Sequence, residues 1–313
     1  MRKTSQAIID DVSKLAESGA SRKDISDETG LSMVSVANII QRYKISMLSP
    51  SSLEQRYPNP VQDEVELEKE RDRIFRKYKG RAMNILSLGD LHYPNQNNTL
   101  IKQAMQEEFD AVVASEVWDF YGLSRFRKNK TSDSEKELQK GTELIREIKG
   151  KKKDFIWFKA NHERRLESLL MDRLTPEAVR LIGIGNLIKN KVEGVGCDAT
   201  NSWWVKIGNV IFAHPDWFTN STLKTAEATQ DNFLKYDRKL WASTDCIVNH
   251  HTHKLGMSVH FGQTIMETGS GCIRMDYLNA GKMRLEMHKG YGIIRIEKDG
   301  SFNFNKSRLV KVD

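Results

Sequence analysis

The sequence predicts an α/β fold that follows a small all-helical unit. From Met83 onward, short apolar runs typical of buried strands alternate with segments of helical periodicity, which is the pattern of an α/β sheet. Residues 1–45 instead repeat apolar side chains at helical spacing only. We therefore divide the chain into a helical module at residues 1–45, a linker and charged helix at residues 46–80, and an α/β domain at residues 81–313.

Composition indicates a globular protein with room for one large and one small domain. The chain has 313 residues, of which 39% are hydrophobic, and the net charge is +7. No apolar run reaches the length of a membrane span, and the N-terminus has no apolar signal-peptide stretch. Three cysteines without paired spacing suit free thiols in a reducing cytosol, so we expect a cytoplasmic protein without membrane association. The positive charge is compatible with a polyanionic partner.

The helical module contains three predicted helices. The first ends at Gly19, the second begins at Ser21 and ends at Gly30, and the third is capped by Ser32. This spacing resembles a helix-turn-helix, in which the glycine permits a sharp turn and the third helix enters the major groove. A small helical module for protein contact is the alternative. In the DNA-binding interpretation, the residues that would face DNA are Ser35, Asn38, Gln41 and Arg42.

The segment at residues 46–80 has a different composition from its neighbours. It begins with a stretch rich in serine and proline, which is typical of a linker. A densely charged stretch with few apolar positions follows. We predict that this stretch is a solvated helix that bridges the two domains.

The α/β domain contains a series of predicted strands separated by helices. Beyond the first strand, the predicted strands are Ala111–Ser115, Phe155–Lys159, Trp203–Ile207, Val210–Ala213 and Cys246–Val248. The predicted helices are Thr99–Glu108, Ser134–Ile148 and Glu163–Leu174.

The first strand, Ile85–Leu88, ends at Gly89 and is followed by Asp90 and His92. Alternate residues of an extended chain share a face, so the two side chains would offer an oxygen and an imidazole side by side. That pair suits a divalent metal at the open end of an α/β sheet. By itself, however, a Gly-Asp pair that closes a strand is more often a turn.

Four further polar clusters end or follow predicted strands. Each alone has an ordinary explanation, such as a helix cap or a turn. Five such clusters in one chain, all at strand ends, make coincidence a poor explanation. The four clusters are Glu116 with Asp119, Asn161 with His162 and Glu163, His214, and His251 with His253.

The order of these five clusters resembles the signature of the calcineurin-like metallophosphoesterases. That signature runs Asp-x-His, Gly-Asp-x-x-Asp, Gly-Asn-His-Asp/Glu, His and Gly-His-x-His, and the resemblance covers roughly residues 83–295. It implies a four-layer βαβα sandwich with a two-metal site. By this resemblance, Asp90, His92 and His253 would hold the first ion, Asn161, His214 and His251 the second, and Glu116 would bridge them.

The resemblance also implies the chemistry of the site. Two ions would clamp a phosphate and generate a hydroxide that attacks in line. Mn²⁺ is the first choice for these mixed ligands, and Fe, Zn²⁺ or Mg²⁺ are alternatives. His162 would be the general acid, and Asp119 would orient it and keep it protonated. Arg125 either contacts a phosphate oxygen or is an ordinary surface arginine.

The sequence departs from the family pattern at three motifs. The family's Gly-Asp is Ser115-Glu116, and glutamate extends the carboxylate by about 1.5 Å. Glu116 therefore either bridges both ions or binds one. Ala160 and His250 replace the glycines of two other motifs. We expect weakened but functional metal binding, in which the second ion is lost more readily than the first.

We therefore predict a metal-dependent phosphoesterase with an appended DNA-binding module. The module and the positive charge favour nucleic acid, hence a phosphodiesterase or nuclease that acts on DNA. A phosphomonoesterase is an alternative with the same fold. A DNA-binding protein with a catalytically weakened phosphoesterase domain is the alternative from another class. A helix-turn-helix before a phosphoesterase also resembles phage or mobile-element proteins.

Overall fold

The structure is a computed structural model that describes residues 6–17, 22–43, 45, 60–123, 133–151, 153–165, 168–169, 174, 190–273 and 287–313. The chain forms two compact units, Met1–Asp63 and Glu64–Asp313. None of the described helices is long and apolar enough to cross a membrane. All three cysteines are free.

The first unit contains three short helices, α1 (Gln6–Glu17), α2 (Arg22–Thr29) and α3 (Met33–Arg42). The predicted cap of the third helix is confirmed, because Ser32 Oγ accepts a hydrogen bond from Ser35 N at 3.2 Å. Gly30 lies between α2 and α3 with φ +65°, a conformation that favours glycine. The predicted positions Gly19 and Ser21 lie outside the described residues. The buried core of this unit consists of Val12, Ala16, Ile25, Val36, Ile39 and Ile40.

Helix α4 (Pro60–Tyr78) corresponds to the predicted charged helix, but it is not solvated throughout. Ile74 and Tyr78 are fully or almost fully buried in a core of the second unit. Near them, Arg73 Nη1 donates to Asp198 Oδ1 at 2.7 Å, and the Lys77 ammonium donates to the other carboxylate oxygen. The charge-rich sequence concealed this packing, because only two apolar side chains near the end of the helix make it.

The second unit is a mixed α/β structure with two sheets. Its helices after α4 are α5 (Asn98–Ala104), α6 (Ser134–Lys149), α7 (Lys224–Tyr236) and α8 (Arg238–Ala242). Its first strands are β1 (Met83–Leu88), β2 (Ala111–Ala114), β3 (Asp154–Phe158), β4 (Asp198–Thr200), β5 (Trp204–Ile207) and β6 (Val210–Ala213). The remaining strands are β7 (Cys246–Asn249), β8 (Leu255–His260), β9 (Gln263–Thr268), β10 (Gly290–Ile296) and β11 (Arg308–Lys311). Part of the predicted helix Glu163–Leu174 lies outside the described residues.

The strand order places several strand ends together. The first sheet has the order β11-β10-β1-β2-β3-β4, in which β1 to β4 are parallel. The second has the order β5-β6-β7-β9-β8, in which β6, β7 and β9 are parallel. All the predicted site clusters follow the carboxyl ends of β1, β2, β3, β6 and β7.

Alternating side chains of the strands fill separate apolar clusters. On β1, Leu86 joins a cluster with Ile101 of α5 and Ile145 of α6. Its neighbour Ile85 joins a cluster that contains side chains of both sheets, such as Phe212 of β6. A third cluster joins the second sheet to Phe233 of α7. Inner strands such as β1, β2 and β7 are therefore buried on both faces, which explains their continuous apolar sequences.

Candidate metal centre

Five of the predicted metal ligands have left-handed backbone conformations. Non-glycine residues avoid this region at a cost of about 1–2 kcal/mol each. The donor atoms of Asp90 and His92 lie close together as expected, but the expectation that the two residues lie on an extended segment is wrong. His251 and His253 do not lie on an extended segment either. The chain turns sharply at each residue instead, and the turns bring the side chains together. The φ values are 54° at Asp90, 47° at His92, 50° at Glu116, 84° at His251 and 54° at His253.

Hydrogen bonds between neighbouring strand ends hold these turns. Asp90 N donates to Ser115 O at 3.2 Å, and His92 N donates to Glu116 O at 3.1 Å. From the second sheet, His251 N donates to Asp90 Oδ2 at 3.0 Å. The loops after β1, β2 and β7 thus support one another, and strain of this kind is typical of functional sites.

A first group of possible metal donors consists of four buried side chains. The donor atoms of Asp90, His92, Glu116 and His253 lie within 4.8 Å of one another. His92 Nε2 lies 3.1 Å from Glu116 Oε2 and 3.4 Å from His253 Nε2. These side chains are sufficient to hold one cation between them.

A second group consists of Glu116, His214 and His251, whose donor atoms also lie within 4.8 Å of one another. His214 Nε2 lies 2.9 Å from Glu116 Oε2 and 3.1 Å from Asp90 Oδ1. Glu116 therefore belongs to both groups. Its longer side chain reaches the position between them, which is where the family resemblance places a bridging ligand.

Several buried polar atoms at this site have no hydrogen-bond partner within the described part of the chain. They include Asn161 Oδ1, Glu116 Oε1 and both ring nitrogens of His251. A buried polar atom without a partner costs about 1–3 kcal/mol. Each of these atoms is also a suitable ligand for a divalent cation. The residues present therefore fit metal ions, whose identity and number the donors alone do not define.

The surroundings raise the pKa of some imidazoles at this site and lower the pKa of others. Burial alone lowers the pKa of His214, but Glu116 and Asp90 raise it to about 10. Burial and the nearby His214 lower the pKa of His251 to about 3. Burial also lowers the pKa of His253, to about 4. His251 and His253 are therefore neutral near pH 7, which is the form that binds metal.

His162 and Asp119 lie together beside the first donor group. His162 Nδ1 is 2.9 Å from Asp119 Oδ1, so the predicted partnership between the two residues is present. Burial lowers the pKa of His162, whereas Glu116 and Asp119 act to raise it. That Asp119 keeps His162 protonated stays a prediction. In addition, Arg165 Nη2 lies 2.5 Å from His162 Nε2. A neutral ring that donates from Nδ1 and accepts at Nε2 satisfies both neighbours.

Arg165 was missed from the sequence, although it is three residues after His162. Arg165 Nη1 donates to the backbone carbonyl oxygen of Asp119 at 2.5 Å and to Asp119 Oδ1 at 3.1 Å. Its side chain is mostly buried. Arg125, the arginine that the sequence suggested for phosphate contact, lies outside the described residues. Arg165 is therefore the arginine that the structure places beside His162.

His250 was also missed as a structural element of the site. Its ring lies between two serines, with Nε2 2.8 Å from Ser87 Oγ and Nδ1 2.5 Å from Ser115 Oγ. It also stacks on Phe158 at a centroid distance of 5.6 Å. Two of the departures from the family pattern, Ser115 and His250, thus contact each other. In the sequence, only the joint presence of these two departures could have indicated that the residues contact each other.

A thiol lies next to the first donor group. Cys272 Sγ can join His92 and His253 as a donor within 4.8 Å. Burial raises the pKa of Cys272 to about 11. Its position after the glycine-rich stretch Gly269–Gly271 was visible in the sequence, but nothing there indicated contact with the histidines.

The residues predicted to bind DNA belong to the first unit and are not part of this centre. On α3, Asn38, Gln41 and Arg42 are exposed. Ser35 is half-buried, and its hydroxyl lies 2.9 Å from Ser32 Oγ.

No family model matches the chain, and no curated protein matches it. Several solved structures do. A single mutant of Vps29 from Entamoeba histolytica is 14% identical, with 74% of this chain and 100% of that chain covered and a TM-score of 0.37. An archaeal phosphodiesterase is 15% identical, with coverage of 74% and 100% and a TM-score of 0.36. A metallophosphoesterase from Sphaerobacter thermophilus is 13% identical, with coverage of 74% and 89% and a TM-score of 0.38.

Proposed function

We propose that the protein is a metal-dependent phosphoesterase. The observation that carries the proposal is the convergence of acidic and imidazole side chains from five strand ends on one buried point, with Glu116 shared by two donor groups. Two sheets that share an apolar cluster, with helices packed on further clusters, also suit the four-layer βαβα sandwich that the motifs imply.

Two divalent ions are the cofactor that this arrangement suits. We assign the first donor group to one ion, and Glu116, His214 and His251 with Asn161 to the other. When bound, such ions polarise a phosphate and make a nucleophile available from water near neutral pH. Mn²⁺ is the preferred candidate because the donors mix oxygen and imidazole nitrogen, and Fe, Zn²⁺ and Mg²⁺ are the alternatives.

The chain's own residues provide the proton and the orientation. Asp119 fixes the ring of His162 through the 2.9 Å contact at Nδ1. To act as the general acid, His162 must first take up a proton at Nε2, which it then delivers to the leaving oxygen. This role requires Arg165 to release Nε2, after which its guanidinium is free to pair with a phosphate oxygen.

The substrate that we propose is a phosphodiester of nucleic acid. The net charge of +7 and the separate helical unit support this choice over a phosphomonoester. Hydrolysis of a phosphomonoester remains the alternative for the same site.

We also propose that the helical unit binds DNA through α3. Asn38, Gln41 and Arg42 are exposed on that helix, and they are side chains that read base edges or phosphates. The glycine turn at Gly30 before a capped third helix supports a helix-turn-helix.

The test is hydrolysis of bis(p-nitrophenyl) phosphate by the purified protein, with and without Mn²⁺. We expect turnover that needs the metal, disappears with chelator and falls at least about 100-fold in His162→Ala. p-Nitrophenyl phosphate serves as the matched monoester. Absence of metal-dependent turnover of both esters would refute the enzyme proposal.

DNA binding is measured separately, so that the second candidate function is distinguished. We expect Arg42→Ala to weaken binding to duplex DNA without a change in ester turnover. Retained DNA binding without turnover would instead select a DNA-binding protein whose phosphoesterase domain is weakened.

A further inference from the structure

Two adjacent aromatic residues lie at the rim of the candidate metal centre. Trp217 and Phe218 follow β6 and the ligand His214 by a few residues, and they are 39% and 41% exposed. The ring of Phe218 packs edge-on against that of His251, with centroids 4.9 Å apart. The Phe218 ring is therefore continuous with the proposed phosphate site, and Trp217 is its neighbour in the chain.

The segment that carries these rings is held on both sides. Before them, Asp216 Oδ2 accepts from Arg164 Nη1 at 2.5 Å. After them, Thr219 N donates to Thr225 Oγ1 at 2.9 Å. The anchors come from the loop after β3 and from helix α7. These anchors hold two large apolar side chains partly exposed to water. Such exposure argues for a ligand that covers them.

We propose that Phe218 and Trp217 form a stacking subsite for the base of a nucleoside whose phosphate is bound at the metal centre. This inference rests on the proposed phosphoesterase function and names its substrate class. A nucleoside carries its base one sugar away from the phosphate, and Phe218 contacts a proposed metal ligand directly. Bases stack on aromatic rings in a sequence-tolerant way, since every base has a π face.

The chemistry of the subsite separates nucleic acid from other phosphate esters. Phosphoserine, phosphothreonine and small alkyl phosphates have no planar group to cover the two rings. A nucleotide satisfies both parts of the site, because its phosphate is anionic and its base is a flat ring with a π face. Without base-specific hydrogen bonds, the subsite would accept any of the bases.

The experiment compares two substrates with one leaving group. They are thymidine 5′-p-nitrophenyl phosphate and methyl p-nitrophenyl phosphate, both with Mn²⁺. We expect wild-type kcat/KM to be at least about tenfold higher for the thymidine ester, in line with the strength of one stacked base. Phe218→Ala and Phe218→Leu should both reduce this ratio towards one, and Trp217→Ala should reduce it less.

Tyr236→Ala is the matched control. Tyr236 is an exposed aromatic residue at the end of α7 whose ring contacts the Lys235 ammonium, so its loss should leave the ratio unchanged. Phe218→Leu keeps an apolar side chain of similar size, which separates loss of the π face from misfolding. A ratio that stays at the wild-type value in both Phe218 variants would overturn the proposal.

Absence of phosphoesterase activity gives a result that differs from absence of the stacking subsite. If the wild type hydrolyses neither ester, catalysis is refuted, and the subsite is then tested by calorimetric binding of thymidine monophosphate with Mn²⁺. Binding that is at least about fivefold weaker in Phe218→Ala than in Tyr236→Ala would support the subsite. Equal affinities, or no binding to the wild type, would exclude it.

Discussion

Glu116 belongs to both donor groups, so its replacement should weaken the binding of both ions together. Its Oε2 atom lies 2.9 Å from His214 Nε2 and 3.1 Å from His92 Nε2. Glu116→Asp shortens the side chain by one methylene. Glu116→Gln keeps the length and removes the charge. The pair of variants therefore separates reach from charge.

The magnitude follows from these distances. Withdrawal by about 1.5 Å takes the carboxylate well beyond the error of about 0.2 Å that metal–ligand distances tolerate. Loss of a residue that merely supports a ligand already reduces metal affinity by about 10–100-fold. We therefore expect both Glu116 variants to lose at least about tenfold in affinity for each ion.

The assay is calorimetric titration of Mn²⁺ into metal-free protein. Two control variants each remove a ligand of one group only, His253→Ala from the first and His251→Ala from the second. Each control should leave one ion bound with nearly wild-type affinity. The assignment of Glu116 as a bridging ligand is wrong if Glu116→Gln weakens the binding of only one ion. It is also wrong if Glu116→Asp binds two ions as tightly as the wild type.

Two further predictions concern the support of the fold. A Cβ at Gly89 would lie 2.4 Å from the ring of His250, so Gly89→Ala should lower stability by about 1–3 kcal/mol, and less in a His250→Ala background, as measured by thermal unfolding. Burial opposes ionisation of Asp198, but Lys77 and Arg73 bind its carboxylate, and the pKa of Asp198 is lowered. Asp198→Asn should therefore cost about 1–2 kcal/mol near neutral pH. A carboxyl with a lowered pKa contributes its full stabilisation above the unfolded value of about 3.9 and loses it as the pH falls through the folded pKa, so this difference should shrink as the pH falls below about 3.9. Equal differences at about pH 3 and pH 7 would contradict the assignment.

Much of the α/β unit was predictable because its inner strands are buried on both faces. Predicted and observed strands agree within one residue at Val210–Ala213 and Cys246–Val248. A continuous apolar run bounded by polar residues identifies such a strand without knowledge of its neighbours. The polar residues at the strand ends were recognisable in the sequence because they bound these apolar runs.

The local geometry of the site was not predictable from spacing. An Asp-x-His or His-x-His spacing suggests an extended segment, whereas Asp90, His92, His251 and His253 all have positive φ. Their conformations are held by hydrogen bonds to other loops, such as that from His251 N to Asp90 Oδ2, across 161 positions of sequence. A strained turn of this kind forms only when distant residues support it.

Helix α4 shows the same limit on the scale of an element. Its dense charge correctly predicted a helix that is largely exposed. The contact of its Lys77 with the Asp198 carboxylate, 121 positions away, was not predictable. Asp198 has no feature in the sequence that distinguishes it from other aspartates.

The sequence by itself determined the kinds of donor and the strand ends that carry them, because strand periodicity and side-chain chemistry are local properties. Only the tertiary structure decided that Glu116 joins both donor groups, that His250 lies between Ser87 and Ser115, and that Arg165 contacts His162. These arrangements depend on how two sheets pack and how their loops meet. No window of sequence contains that information, because the contacting strand ends are separated by up to 163 positions.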